Sequence, residues 1–504
     1  MMARTPASVI ALLVSMLSNR ACGRWLRAIA PTSALGADWF NTYGTRPRAR
    51  RAASTIGSRS PIAISVYRSG FRRPGASRRV FSQAGAFAYD TVDRMRSAIA
   101  IGLALLAAAP AFLLRFGGVE APVPVATVAF GLGIVGAAFA MSWAAEAAEH
   151  DIPRALALTV VALLAVLPEY AVDIIFAYKA GSDPTFAPYA AANMTGSNRL
   201  LLGLGWPTVT VVAWLVGGRR VLRLERDAAL ALLFLAVATV YSFSLPLKAS
   251  VSALDSLVLI GLFGVYVVLA ARQGGEEPEL VGPAATIGRL PAGARRLTIM
   301  ALFAFAGLTI GASAEPFAEG LVRTGQALHI DEFLLVQWLA PLASETPEFL
   351  VAILLTMRGK AAAAMGLLLS AKVNQWTLLV GSLALAYSLG AGQPAALPLD
   401  ARQVSEVLLT AAQSFFGLAV LANRVFTLRD AVFLAGLFAA QLILGGVLRA
   451  GLQSPTAASA EMFVFSGLYL VLGLLQLVRG RKSLVVLKNA GATLAETEEA
   501  DQAA

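Results

Sequence analysis

The sequence predicts an all-α polytopic membrane protein with about 12 transmembrane spans, built as two inverted five-helix repeats plus flanking helices. Three observations lead there. Of 504 residues 57% are hydrophobic and only 14% charged, far too apolar for a soluble chain of that length. Apolar segments long enough to cross a bilayer, about 20 residues each, recur along the chain. An unusual segment at 160–181, "VVALLAVLPEYAVDIIFAYKAG", has a counterpart at 336–360, "VQWLAPLASETPEFLVAILLTMRGK".

The N-terminal stretch is set apart first. Residues 1–94 hold fifteen Arg, no Lys and three acids, so they carry +12 of the net +11 and the rest of the chain sums to about −1. Basicity confined to one leader argues against a nucleic-acid partner for the whole chain. Being Arg- and Ser-rich, acid-poor and aperiodic, the leader reads as a transit peptide or disordered tail, or as translated upstream sequence with Met95 as the true start; the latter is favoured. The single Cys22 leaves no intrachain disulfide, and His150 and His329 form no HExxH zinc pattern. No cofactor is expected.

Spans are expected at about 97–116, 123–146, 153–179, 187–217, 227–246, 252–272, 297–322, 332–357, 361–389, 402–422, 428–449 and 461–478. The first, with its "AAAPA", also fits a cleaved signal peptide. With a cytoplasmic start, nineteen Arg and Lys from residue 94 onward fall inside and six outside, the bias expected of cytoplasmic loops. The Gly/Pro-rich loop 273–296 lies inside and reads as a linker between halves, and residues 479–504 form a cytoplasmic tail.

Span three (153–179) and span eight (332–357) carry the matching Pro-Glu pairs, Pro168–Glu169 and Pro347–Glu348. Five spans separate them, so the repeats, 123–272 and 297–449, cross in opposite directions. Inverted repeats with interrupted helices characterise secondary transporters, whose binding site lies at mid-membrane. Proline removes its own amide donor and turns out the carbonyl four residues earlier, at Leu164 and Ala343. A freed carbonyl beside a carboxylate suits a hard cation. Glu169 and Asp173 share one helix face, Glu345 and Glu348 another. Asn193, Ser197 and Asn198 in "NMTGSN" add oxygens, although such residues also glue helices together. Glu146 and Glu315 lie near span ends and suit a vestibule as well as a site.

"LPEYAV" with "ANMTGSN", answered by "TPEFLV" with "SAKVN", resembles the two alpha repeats of the sodium/calcium exchanger (cation/calcium antiporter) superfamily. The resemblance covers roughly 123–449. It implies cation exchange by alternating access, with Glu169 and Glu348 as central metal ligands. This chain departs from the pattern. The Gly-Thr-Ser before the first Pro-Glu appears as Leu164, Ala165 and Val166; the second half has Ala343, Ser344 and Glu345 there, keeping one hydroxyl ligand in Ser344. The second Gly-Ser-Asn has become Lys372, Val373 and Asn374.

Two bases, Arg199 and Lys372, fall in the apolar core, where an unpaired charge costs at least about 2.5 kcal/mol, so each is expected to pair with a carboxylate. Lys372 is expected to face Glu345 or Glu348 and to couple cation release to protonation, or else to form a static ion pair. The leading function is a cation antiporter of the sodium/calcium exchanger type in a bacterial cytoplasmic membrane. Alternatives are a sodium/proton antiporter on the same fold, and a channel or scaffold. Partners are the lipid bilayer and inorganic cations such as calcium or sodium. An intramembrane hydrolase is disfavoured, because neither histidine lies near the repeated glutamates.

Overall fold

The computed structural model describes residues 76–148, 151, 167–225, 228–272, 280–451 and 455–480. The leader up to residue 75, the first part of span three and the tail beyond 480 lie outside the described residues. Helix α1 (Ala76–Phe116) begins well before the first span was expected to, inside the Arg-rich leader. Helices α2 (Val123–Ala148), α3 (Leu167–Ser182), α4 (Ala187–Leu200), α5 (Trp206–Gly217), α6 (Ala228–Ser242) and α7 (Ala253–Arg272) make the first half. In the second half, α8 (Ala292–Leu328), α9 (Glu332–Met357), α10 (Ala361–Asn374), α11 (Val380–Ala391), α12 (Ala401–Leu421) and α13 (Leu428–Gly446) repeat that order, and α14 (Pro455–Arg479) closes the bundle.

Among the described residues, ten helices are long and apolar enough to cross a membrane. The other two expected spans are the third, described only from Leu167, and the ninth, which runs from α10 into α11. The ninth falls short in hydropathy because Lys372, Asn374 and Gln375 sit at its centre. The α9 helix is assigned without a break through Pro341 and Pro347, so the expected interruption takes another form. In each half a π-turn follows the polar segment, at Leu201–Gly205 and at Gln375–Leu379. Such wide turns cluster at functional sites because they re-aim side chains without ending the helix. Helices α5 and α11 then end alike, on left-handed Gly218 (φ 65°) and Gly392 (φ 67°), where a Cβ is strained.

The halves interlock. Helix α2 packs along its counterpart α8, α3 along α11, and α9 along α4 and α5. Small residues allow the closest approaches: a Cβ on Gly196 would lie 1.8 Å from the Gln337 carbonyl oxygen, and one on Gly390 1.8 Å from that of Tyr178. In lipid, such backbone proximity supplies the packing that a hydrophobic driving force cannot.

The loops agree with the expected sidedness. Strand β1 (Val221–Arg223) pairs antiparallel with β4 (Val425–Thr427), joining two loops expected inside. Strand β2 (Ser250–Val251) pairs with β3 (Leu397–Pro398), joining two expected outside. Ion pairs follow the same expected division: Asp151 meets Arg295 at 2.7 Å between segments expected inside, and Asp331 meets Arg402 at 2.8 Å between segments expected outside.

Candidate functional site

Helices α2, α3 and α9 enclose a cavity lined by Ala138, Ser142, Glu169, Ser344, Glu345, Pro347 and Glu348. It has room for roughly one or two water-sized occupants. Three carboxylates, one from the first half and two from the second, therefore meet in one small space. Glu169 and Glu345 are buried and Glu348 is half-buried. Proline helps to place each cluster: Pro168 and Pro347 directly precede Glu169 and Glu348, and the Ser344 hydroxyl donates back to the Ala340 carbonyl at 3.2 Å. One oxygen of Glu345 and one of Glu348 have no hydrogen-bond partner. Buried oxygens without partners in a cavity are acceptors available to a ligand. Among the described residues no three acidic, His or Cys side chains already surround one metal-sized point; the carboxylates line the cavity without closing on its centre.

A residue absent from the sequence reading ties the halves together. The Gln375 side-chain amide donates to Glu169 Oε1 at 2.9 Å and to Glu345 Oε1 at 2.8 Å. Its visible signal was position: it adjoins Asn374 and occupies the place in the second repeat that Arg199 has in the first. Ser142 also lines the cavity and donates to Glu146 at 3.1 Å.

The other expected ligands are distributed differently. Asp173 is fully buried beside Asn193, with neither its oxygens nor the Asn193 amide atoms in a formed hydrogen bond. Ser197 is buried beside Glu345. None of these three lines the cavity. The two repeat asparagines are each engaged by a donor from the opposite half. Tyr170 donates to Asn374 Oδ1 at 2.6 Å. Lys372 donates to the Asn198 carbonyl oxygen and, at 2.9 Å, to Asn198 Oδ1.

Lys372 meets its expectation only in part, since Glu345 is among the charged groups that face it. Its Nζ rests on Asn198 oxygens instead of forming an ion pair with Glu345 or Glu348, and it lies 5.7 Å from the Trp376 ring centre. The physical reason is the helix crossing: position 372 is occupied by Gly196 in the first repeat, so its side chain enters the contact between the two asparagine segments. Arg199 does pair with a carboxylate. Its guanidinium donates to Glu406 at 2.7 Å and to Gln441, beneath the Trp338 ring. Glu406 also accepts from Gln337 at 2.9 Å and lies 3.3 Å from Arg449. That network fastens α4 to α9, α12 and α13 and stands apart from the cavity. Glu315 likewise serves away from it, meeting Lys179 at 2.9 Å while Glu319 takes the same ammonium.

A bundle of inverted repeats with opposed carboxylates defines a secondary cation transporter. The model of the sodium/calcium exchanger protein family matches residues 123–272 and 298–445, and the chain belongs to that family. It is similar, at 42% identity, to the H+/Ca2+ exchanger CAX, whose crystal structure aligns with a TM-score of 0.73 over 81% of this chain and 99% of that one. The structure of native YfkE aligns at 16% identity and a TM-score of 0.48, covering 69% and 98%. The sodium-calcium exchanger NCX_Mj aligns at 17% identity and a TM-score of 0.41, covering 64% and 99%. No curated protein sequence matches the chain. It is an integral multi-pass membrane protein of a cation-exchanger family.

Proposed function

We propose that this protein is a proton-coupled calcium antiporter of a bacterial cytoplasmic membrane, with Glu169, Glu345 and Glu348 as the oxygens that hold calcium in one conformation and protons in the other. The observation that carries the reading is the meeting of acids from both inverted repeats in a single cavity. Calcium takes six to eight oxygen ligands at about 2.3–2.6 Å. Carboxylates, the Ser344 hydroxyl and water supply oxygens of that kind, with Ser142 at the rim. A carboxylate that binds a proton loses its charge and its hold on a divalent ion, so proton and cation compete for the same atoms. Alternating access then turns competition into exchange: the site loads one ion on one side and the other on the opposite side. Similarity to an H+/Ca2+ exchanger supports proton coupling over sodium coupling. Asp173, one helical turn from Glu169 along α3, and Asn193, beside it on α4, are buried polar groups outside that cavity.

Proteoliposomes holding the full chain test this. An imposed pH gradient is expected to drive radioactive calcium uptake, a sodium gradient at constant pH to drive little, and Glu169→Gln to abolish the first. Uptake driven by sodium alone would replace proton coupling, and no gradient-driven flux of any cation would reject the reading.

A further inference from the structure

Two features of the asparagine segments bear on which ions travel. In each repeat the asparagine sits one residue before the replaced position, Arg199 or Gln375, and is buried. A buried amide oxygen and a neighbouring backbone carbonyl aimed at one point make a small oxygen site for a cation. At Asn198 that point is occupied by Lys372 Nζ, which both oxygens contact. Lys372 is fully buried, its stem crosses from α10, and its amine also lies over Trp376, a face that attracts positive charge. At Asn374 the equivalent oxygen is taken by the Tyr170 hydroxyl, from the residue next to Glu169. The charged groups facing Lys372 are Glu345 and Arg199.

We propose that Lys372 is a tethered donor that fills the Asn198 side of the site, and that it determines specificity by denying those oxygens to a free monovalent ion. This rests on the antiporter reading above and deepens it. With Lys372 on one asparagine and Tyr170 on the other, only the carboxylate cavity is left to the transported ion. Sodium therefore finds no free oxygens at either asparagine, and the counter-ion is restricted to one that needs no coordination shell, the proton. The position is reached only because α10 carries a long side chain where α4 carries Gly196, so the asymmetry between the repeats sets the selectivity.

Lys372→Met keeps the apolar stem and removes the amine. Sodium and calcium binding to the purified full chain would be measured by titration calorimetry, and sodium-driven calcium uptake in proteoliposomes. Wild type is expected to show no saturable sodium binding. Lys372→Met is expected to gain it, with sodium affinity raised roughly tenfold or more, and to acquire sodium-driven calcium uptake. A monodisperse Lys372→Met protein with wild-type sodium affinity would overturn the proposal, as would saturable sodium binding by wild type. Should Lys372→Met fail to fold, Tyr170→Phe asks the same question at Asn374: gained sodium sensitivity supports the occupied-site account and unchanged sensitivity overturns it. The antiporter reading fails separately, if wild type moves no calcium under any gradient, because gained sodium binding is read without transport.

Discussion

The two repeats agree where the ion is expected to bind and disagree one turn away. Pro168–Glu169 matches Pro347–Glu348, and Asn198 matches Asn374, but Gly196 answers Lys372, Arg199 answers Gln375, Val166 answers Glu345, and Asp173 answers Ala352. The matched positions supply what both access states need: an acid and a helix irregularity on each side of one cavity. The unmatched positions divide labour. In the first half the extra base is turned outward to Glu406 and holds helices together; in the second, the amide at that place is turned inward and bridges Glu169 to Glu345. Inversion gives the two-sided cavity, and departures from symmetry give it a particular charge.

The strongest test of equivalence is to neutralise each repeat glutamate alone. Glu169→Gln and Glu348→Gln are each expected to lower gradient-driven calcium flux by roughly 100-fold or more, because affinity for a hard divalent cation follows the number of charged oxygens. Both should insert and remain monodisperse. If only one variant lost transport, the glutamates would not be paired ligands and the comparison would break at its centre.

Exchanging roles at the next position should separate stability from binding. Arg199→Ala leaves Glu406 buried among Gln337 and Arg449 without its closest partner, a loss of about 3–5 kcal/mol for a broken buried ion pair. Thermal unfolding in detergent should fall accordingly while calcium affinity in the surviving protein stays unchanged. Gln375→Ala should do the reverse. Removing a donor that competes for Glu169 and Glu345 is expected to tighten calcium binding by roughly threefold to tenfold, with slower exchange and little loss of thermal stability. Equal effects of the two substitutions on affinity would show that Arg199 belongs to the site after all.

Much of this architecture was legible in the chain because membrane physics leaves few choices. Apolar length marked the spans, ten of which recur among the described residues as helices long enough to cross a membrane, and repetition of Pro-Glu marked two halves whose helices follow the same order. The cavity acids Glu169, Ser344's neighbour Glu345, and Glu348 were legible as costly residues in apolar surroundings. What could not be read was direction. Lys372 was expected to point at a carboxylate on grounds of charge alone, but helix crossing delivers it to Asn198. Glu406 and Gln337 were passed over because each lies close to a span end, where polar residues are ordinary. Gln375 carries no motif of its own, and only the fold sets its amide between two acids. The π-turns left no sequence signature at all.

The weakest expected effect concerns the segments that lead into the repeated helices. Asp151, in a loop expected inside before span three, is gripped by Arg295 through two hydrogen bonds of 2.7 Å, with Arg296 at 3.3 Å. Asp331 caps α9 on the outer side and meets Arg402, whose guanidinium stacks 3.8 Å from the Phe333 ring centre. Hydrogen bonding to Arg295, helped by that to Arg296, holds the Asp151 carboxyl down at about 2 against an ordinary 3.8. A depressed folded-state value means the contact stabilises the protein fully above about pH 4 and loses that contribution as pH falls toward about 2. The difference in thermal midpoint between wild type and Asp151→Asn should therefore be constant from about pH 5 to 8 and shrink below about pH 4. Salt should narrow it, because Arg296 is exposed and its share of the attraction is screened. A difference that grew on acidification would mean that Asp151 is not bound as a carboxylate, and that the inner and outer leads into the two repeats are anchored by different chemistry.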